Sequence, residues 1–155
     1  MTAPAPVVLA DFELPSRIGN ERAAIDQVAD AVGRLGLPGS TMDKLKTAVG
    51  EATMNAIEHG NGGRAEIPVQ VHVETTPDAL TVRVTDQGGG GGQPIADPEA
   101  PDLDAKLAGM QSPRGWGLFL IKNMVDDLRI ISEEGRHTVE LVVHLKGASD
   151  GRTPV

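Results

Sequence analysis

The stretch at 50–60, GEATMNAIEHG, carries polar side chains on a segment whose apolar residues have helical spacing. A packing face at i, i+3 and i+4 spacing is formed by Leu45, Ala48, Val49, Ala52, Ala56 and Ile57. At about 100° per residue, Asn55 lies about 40° round from Glu51, and Glu58 about 20° round the other way. Alone, this polar stripe indicates only the solvated side of an amphipathic helix, and His59 is typical of a helix end.

The sequence around this helix predicts the order β-α-α-β-β-loop-α-β-β. Strands are predicted at 7–15, 67–75, 79–86, 128–134 and 136–145, and helices at about 17–35, 41–59 and 116–127. Ser16 is the expected cap of the first helix and Ser40 or Thr41 that of the second, which Gly60 ends. The strands form hairpin pairs, so we predict an α+β fold. It is a two-layer α/β sandwich in which three helices cover one face of a mixed, mostly antiparallel sheet.

Length and composition place these elements in one domain. The chain has 155 residues, which suits a single domain at 10–146 between a flexible N-terminus, 1–9, and a flexible tail, 147–155. Lys and Arg number 14 against 22 Asp and Glu, and the formal charge of −8 argues against binding to nucleic acid or an anionic membrane. No cysteine is present, which excludes disulfides and thiolate chemistry. Without a signal peptide or an apolar span, we expect the protein to be cytoplasmic.

A second polar motif follows the strand at 79–86. Asp86 ends this strand, and Gly88 and Gly90 follow at D-x-G-x-G spacing. Such an arrangement can present one carboxylate to a ligand while the glycines let the backbone approach it closely. A flexible linker is the alternative reading of a glycine run.

A third motif opens the last predicted helix. Arg114, Gly115, Gly117 and Leu118 lie in the sequence SPRGWGLFLIKNMV, after a long loop of low hydrophobicity. Backbone N–H groups at a helix N-terminus form an anion site, and an arginine adds a bidentate donor for phosphate. An ordinary helix start with a loose glycine turn would have the same sequence.

In their order, the three motifs resemble those of the GHKL ATPases, which share the Bergerat, or histidine kinase-like, ATP-binding fold. GEATMNAIEHG, VTDQGGG and RGWGLFLIKNMVDDLRI in so short a chain are most similar to the anti-sigma factor serine-protein kinases. The resemblance extends over about residues 10–145. It implies a serine-protein kinase that uses ATP and Mg²⁺, binds a sigma factor, phosphorylates a STAS-domain antagonist of the anti-sigma factor, and forms a homodimer.

The resemblance also assigns a role to each motif. Asp86 would accept a hydrogen bond from the adenine amino group, and Gly88 and Gly90 would let the purine lie close. Asn55 would hold Mg²⁺, and Glu51 would act as general base toward the partner serine. The phosphates would lie against the opening of the last helix, at Arg114, Gly115, Gly117 and Leu118, under a lid drawn from about 91–114.

Some residues depart from the family pattern. Gly91 and Gly92 stand where many relatives have a bulky apolar residue, which predicts a looser start to the lid. Trp116 would stack on the ligand or shield the site. Glu58 stands where sensor histidine kinases commonly have lysine, which favours the anti-sigma branch.

Two other functions are compatible with these motifs. One is a non-catalytic module that binds nucleotide and sequesters a protein partner, against which the intact Glu51 argues. The other is a detached catalytic domain of a sensor histidine kinase. That alternative is disfavoured because the chain has no room for a dimerisation helix pair with a phospho-accepting histidine, and three of its four histidines lie in predicted strands.

Overall fold

The predicted elements occur in the predicted order along the part of the chain that can be described. The computed structural model describes residues 5–88 and 113–145, with side chains in the second range from Gly117 onward. The elements are β1 Val7–Pro15, α1 Asn20–Val32, α2 Gly39–Asn55, β2 Pro68–Thr75, β3 Ala79–Asp86, α3 Pro113–Met124, β4 Asp127–Glu133 and β5 Arg136–His144. A 3₁₀ turn, Gly33–Leu35, follows α1, and a π-helical turn, Ala56–Gly60, follows α2.

The strands form one sheet in the order β1-β2-β3-β5-β4. Every ladder between the described strands is antiparallel, so the α+β sandwich is confirmed while the mixed character predicted for the sheet is wrong. The reason is topological. The chain returns from β3 through α3 to the far edge, and β5 then inserts between β3 and β4, which keeps these two same-direction strands apart.

The core lies between one face of this sheet and the helices. Inward positions alternate along the central strands, as a sheet with one covered face requires. The buried strand residues are Val69, Val71, Val73, Leu80, Val82, Val84, Val139, Leu141 and Val143. The predicted packing face of α2, from Leu45 to Ile57, is buried at all six positions, which confirms that prediction.

The helix starts differ from their predicted positions. α1 begins at Asn20 after Gly19, and Ser16 does not cap it, because the Ser16 hydroxyl donates instead to the carbonyl of Ile67. α2 begins at Gly39 directly after Pro38, so neither predicted cap of this helix stands before its first turn. Proline fixes its own φ and marks the boundary without any side-chain cap.

The last helix and the N-terminal boundary also shift. α3 covers Pro113–Met124 rather than 116–127, so Arg114 and Gly115 lie in its first turn and not before it. β1 covers Val7–Pro15, as predicted, and so begins within the segment 1–9 that the sequence assigned to a flexible N-terminus. The predicted lid, 91–114, lies outside the described residues except for its last two positions. Within the described part of the chain, no helix is both long and apolar enough to cross a bilayer.

Candidate active site

The opening of α3 lies directly on the polar side of α2. A Cβ atom built on Gly117 would stand 2.8 Å from Oε2 of Glu51 and 3.2 Å from Nδ2 of Asn55. Both side chains belong to adjacent turns of α2, so their functional groups meet the start of α3 together. Glycine at 117 therefore leaves the room that these two polar groups occupy, and the structure brings together three of the predicted site residues.

The amide of Asn55 is buried without a full set of partners. Its side chain is only 6% exposed, and Nδ2 has no hydrogen-bond partner among the described residues. A buried polar atom left unpaired costs about 1–3 kcal/mol, so an amide in this state is a strong candidate for a ligand contact. The neighbouring Glu51 is half-buried.

The donor set at this position fits Mg²⁺. The amide oxygen of Asn55 is a hard ligand of the kind that Mg²⁺ takes, and Mg²⁺ at phosphate sites takes few ligands from the protein and the rest from phosphate and water. The unpaired Nδ2 is a donor, which suits a phosphate oxygen and not the metal. Within the described residues no group of three or more His, Asp or Glu side chains forms a separate metal cage.

Asp86 ends β3 on the buried face of the sheet and is 2% exposed. Its Oδ1 accepts hydrogen bonds from the backbone N–H of Gly88 at 2.9 Å and from Nδ1 of His137 at 3.1 Å. On the other side, a Cβ atom on Gly60 would overlap the carboxylate carbon and Oδ2. The carboxylate thus lies between β5, the turn after β3 and the end of the π-helical turn.

Gly88 has a structural reason to be glycine in addition to its predicted role. Its φ of +74° lies in the left-handed region, and a Cβ atom there would overlap the carbonyl oxygen of Gly135. The turn after β3 therefore packs backbone to backbone on the turn between β4 and β5. Close approach of a purine to Gly88 remains a prediction.

Asn61 connects several segments at this end of the molecule, although no sequence motif marked it. Its side chain is fully buried. Nδ2 donates to Ser16 Oγ at 2.9 Å and to the carbonyls of Ile67 and Pro68 at 3.3 and 3.2 Å. Its Oδ1 accepts from the backbone N–H of Gln87, the residue after Asp86, at 2.8 Å. An asparagine beside helix-ending glycines is typical of any turn, so its sequence context did not mark it.

The π-helical turn was also missed by the prediction of one helix to residue 59. Its hydrogen bonds join residues five apart, and this pattern continues past Gly60, where the backbone N–H of Asn61 donates to the carbonyl of Ala56 at 2.8 Å. Such turns are frequent at functional sites because they displace the residues that follow. Here the turn separates the Glu51–Asn55 pair from Asn61. Glu58 and His59 are exposed on this turn, whereas Asn55 is buried and Glu51 half-buried. The predicted polar stripe from Glu51 to Glu58 is therefore not one continuous surface of equal exposure.

The remaining predicted site residues have mixed outcomes. Arg114 and Gly115 lie in the first turn of α3, whose backbone N–H groups are the predicted phosphate donors. Leu118 is buried in the core, so its side chain packs and only its backbone could face a ligand. Gly90 lies outside the described residues, as do the extra glycines Gly91 and Gly92.

The fold and the site together define a nucleotide-binding domain. It is a sandwich that holds a carboxylate–amide pair on one helix, a glycine-opened helix against that pair, and an aspartate at a strand end. The chain belongs to the family described as the histidine kinase-like ATPase domain, which matches residues 14–143.

Curated relatives cover most of the chain. It is 30% identical over 122 residues to the serine-protein kinase RsbW of Listeria monocytogenes serovar 1/2a. The aligned region covers 78% of this chain and 76% of that protein. It is also 30% identical over 133 residues to the anti-sigma F factor of Clostridium beijerinckii, over 82% of this chain and 87% of the relative. The resemblance to the anti-sigma factor serine-protein kinases is thus confirmed.

Solved structures agree on the fold. The structure of the RsbU and RsbW domains of Rv1364c from Mycobacterium tuberculosis matches with a TM-score of 0.62 and 20% identity, over 92% of this chain and 33% of that one. The SiaB-SiaC complex from Pseudomonas aeruginosa matches with a TM-score of 0.50 and 15% identity, over 88% of this chain and 90% of that one.

Proposed function

We propose that this protein is an ATP-dependent serine-protein kinase that acts as an anti-sigma factor and phosphorylates a serine of a STAS-domain antagonist. The observation that carries this proposal is the contact of Gly117 with the Glu51–Asn55 pair, where Nδ2 of Asn55 is buried and unpaired. A family of ATPases and relatives named serine-protein kinase and anti-sigma F factor support it.

Each group of the site has a part in phosphoryl transfer. Asp86 recognises the adenine amino group, and the first turn of α3, with Arg114 and Gly115, offers N–H donors to the phosphates. The amide oxygen of Asn55 would hold Mg²⁺, which would supply charge neutralisation at the phosphates. Glu51 lies one helical turn before Asn55, which places a carboxylate next to the phosphate end of the site.

Glu51 acts as the general base. The serine oxygen of the partner attacks the γ-phosphorus of ATP, its proton passes to the Glu51 carboxylate, and the bond from the γ-phosphorus to the bridging oxygen breaks to release ADP. General-base help is worth about 10²–10⁴ in rate, so the carboxylate affects transfer far more than nucleotide affinity.

The partners follow from the same proposal. Phosphorylation of the antagonist would control whether the kinase binds the antagonist or a sigma factor, and the kinase would act as a homodimer in the cytoplasm. The acidic surface, with a formal charge of −8, suits a basic partner surface and is unsuited to direct binding of nucleic acid.

The test is transfer of labelled γ-phosphate from ATP to STAS-domain proteins of the same organism. We expect the wild-type protein to label one of them. Glu51→Ala should bind MgATP normally in calorimetry but transfer about 10²-fold more slowly or worse. Glu58→Ala, which removes an exposed carboxylate from the following turn, is the matched control and should transfer normally.

The outcomes separate the alternatives. ATP binding without transfer to any STAS protein would favour the non-catalytic nucleotide-binding module. Transfer of the phosphate to a histidine of a separate dimerisation domain would favour the detached histidine-kinase catalytic domain. Normal transfer by Glu51→Ala would remove Glu51 as the base.

A further inference from the structure

His137 makes a buried contact that none of the predicted roles explains. It lies on β5 directly opposite Asp86 of β3, and both side chains are almost fully enclosed, at 7% and 3% exposure. Nδ1 of His137 lies 3.1 Å from Oδ1 of Asp86. Because a carboxylate oxygen accepts, Nδ1 carries the hydrogen, and the imidazole donates to the aspartate. On its other side, the strand partner of His137 is the uncharged Ser132 of β4.

The contact restricts how the carboxylate can turn. Oδ1 already receives the N–H of Gly88, and the imidazole adds a second donor from the opposite strand. Gly60 lies beside Oδ2, and a Cβ atom at Gly60 would overlap that oxygen. The two donors on Oδ1 favour one orientation of the carboxylate, and removal of the imidazole takes away one of them.

We infer that His137 is a positioning residue that fixes the Asp86 carboxylate and thereby sets the preference of the site for adenine over guanine. This inference rests on the proposed ATP site. Adenine presents an amino donor at the position where guanine presents a carbonyl acceptor. A carboxylate held in one orientation attracts the first and repels the second, and a carboxylate that has lost the imidazole donor is held less firmly and discriminates less.

Two substitutions separate positioning from a merely structural role. His137→Asn keeps an N–H donor close to the Nδ1 position, and His137→Leu keeps similar volume without a donor. Leucine should lower ATP affinity about tenfold and reduce the ratio of ATP to GTP affinity, because a hydrogen bond to a charged acceptor is lost. Asparagine should stay within about threefold of the wild type for both quantities. His144→Leu, an exposed histidine on the same strand, is the matched control and should change neither.

The measurement is calorimetric titration of each purified variant with MgATP and MgGTP, after circular dichroism has verified the fold. Should the leucine variant be unfolded, His137→Val takes its place, since valine is favoured in strands. The inference is overturned if the variant without a donor binds ATP like the wild type, if it weakens ATP and GTP equally, or if asparagine is as weak as leucine. Failure of the wild-type protein to bind ATP would instead overturn the proposed function, and this inference with it.

Discussion

Gly117 shows how one missing side chain shapes the site. The nearest atoms to a Cβ at this position belong to Glu51 and Asn55, the two groups assigned to proton transfer and metal binding. The atom in closest conflict is Oε2 of Glu51, at the far end of a flexible side chain. Substitution there can be accommodated by moving the carboxylate without moving the backbone.

Gly117→Ala should therefore separate stability from activity. Alanine is favoured over glycine within a helix by up to about 1 kcal/mol, so the variant should melt at or near the wild-type temperature. Phosphotransfer should fall at least about tenfold, because near-attack geometry is sensitive to displacement of the base by about 1 Å. Thermal melting and a transfer assay measure the two effects.

The control for this variant is Gly39→Ala at the first residue of α2, where an added Cβ would meet nothing within 4 Å. This substitution should leave transfer unchanged. Equal transfer by Gly117→Ala and wild type would show that the contact with Glu51 has no bearing on activity.

At the scale of elements, the π-helical turn and Asn61 connect the two halves of the site. The turn Ala56–Gly60 directly follows Asn55, and its last residue, Gly60, lies beside the Asp86 carboxylate. Asn61 then joins the end of β1, the start of β2 and the residue after β3 through one side chain. The position of Asp86 thus depends on bonds made by a residue that has no predicted role in binding.

Asn61→Ala should destabilise the fold by about 2 kcal/mol or more, because it leaves buried groups without partners, among them the N–H of Gln87. Urea unfolding measures the change. Asn123→Ala removes an exposed side chain whose amide donates to Phe119 within α3, and it should alter the free energy of unfolding by no more than about 0.5 kcal/mol. Similar losses in the two variants would contradict the role given to Asn61.

The elements differ in how far the sequence predicts them. Strand alternation and the apolar face of α2 predicted the sheet and the core correctly, because burial of one face imposes the period. The predicted cap at Ser16 was wrong because its hydroxyl bonds Ile67 instead, and those at Ser40 and Thr41 were wrong because α2 already begins at Gly39 after Pro38. Long-range partners such as His137 with Asp86 depend on strand order, which local patterns do not contain.

At the scale of the whole molecule, the face of the sheet opposite the described helices carries a chain of ion pairs and histidine–carboxylate contacts across all five strands. Its members are Asp11, His72, Glu74, Arg83, Glu140, Arg129 and Asp127. Burial raises the pKa of Glu74, but hydrogen bonds from His72 and Arg83 outweigh that effect and hold its pKa below the ordinary value of 4.5. Burial likewise acts to lower the pKa of Arg83, which its bonds to Glu140 and Glu74 nevertheless raise.

This network predicts that the free energy of unfolding depends on pH in the acidic range. Since the pKa of Glu74 is depressed in the folded state, its contribution is present above pH 4.5 and is lost as the pH falls through the folded-state pKa. Glu74→Gln should be less stable than wild type at pH 7 by up to about 1 kcal/mol, and the difference should shrink at pH 3. Urea unfolding at both pH values measures it, with Glu66→Gln, an exposed carboxylate, as control. A constant difference would contradict the assignment.

The most direct test of the ATP site is calorimetric titration of MgATP into wild type and Asp86→Asn. The amide presents both a donor and an acceptor where the carboxylate presents only acceptors, so affinity should fall about tenfold or more. Asp78→Asn, in the exposed turn before β3, is the matched control and should bind like the wild type. Unchanged affinity in Asp86→Asn would contradict the assignment of this pocket to the adenine base.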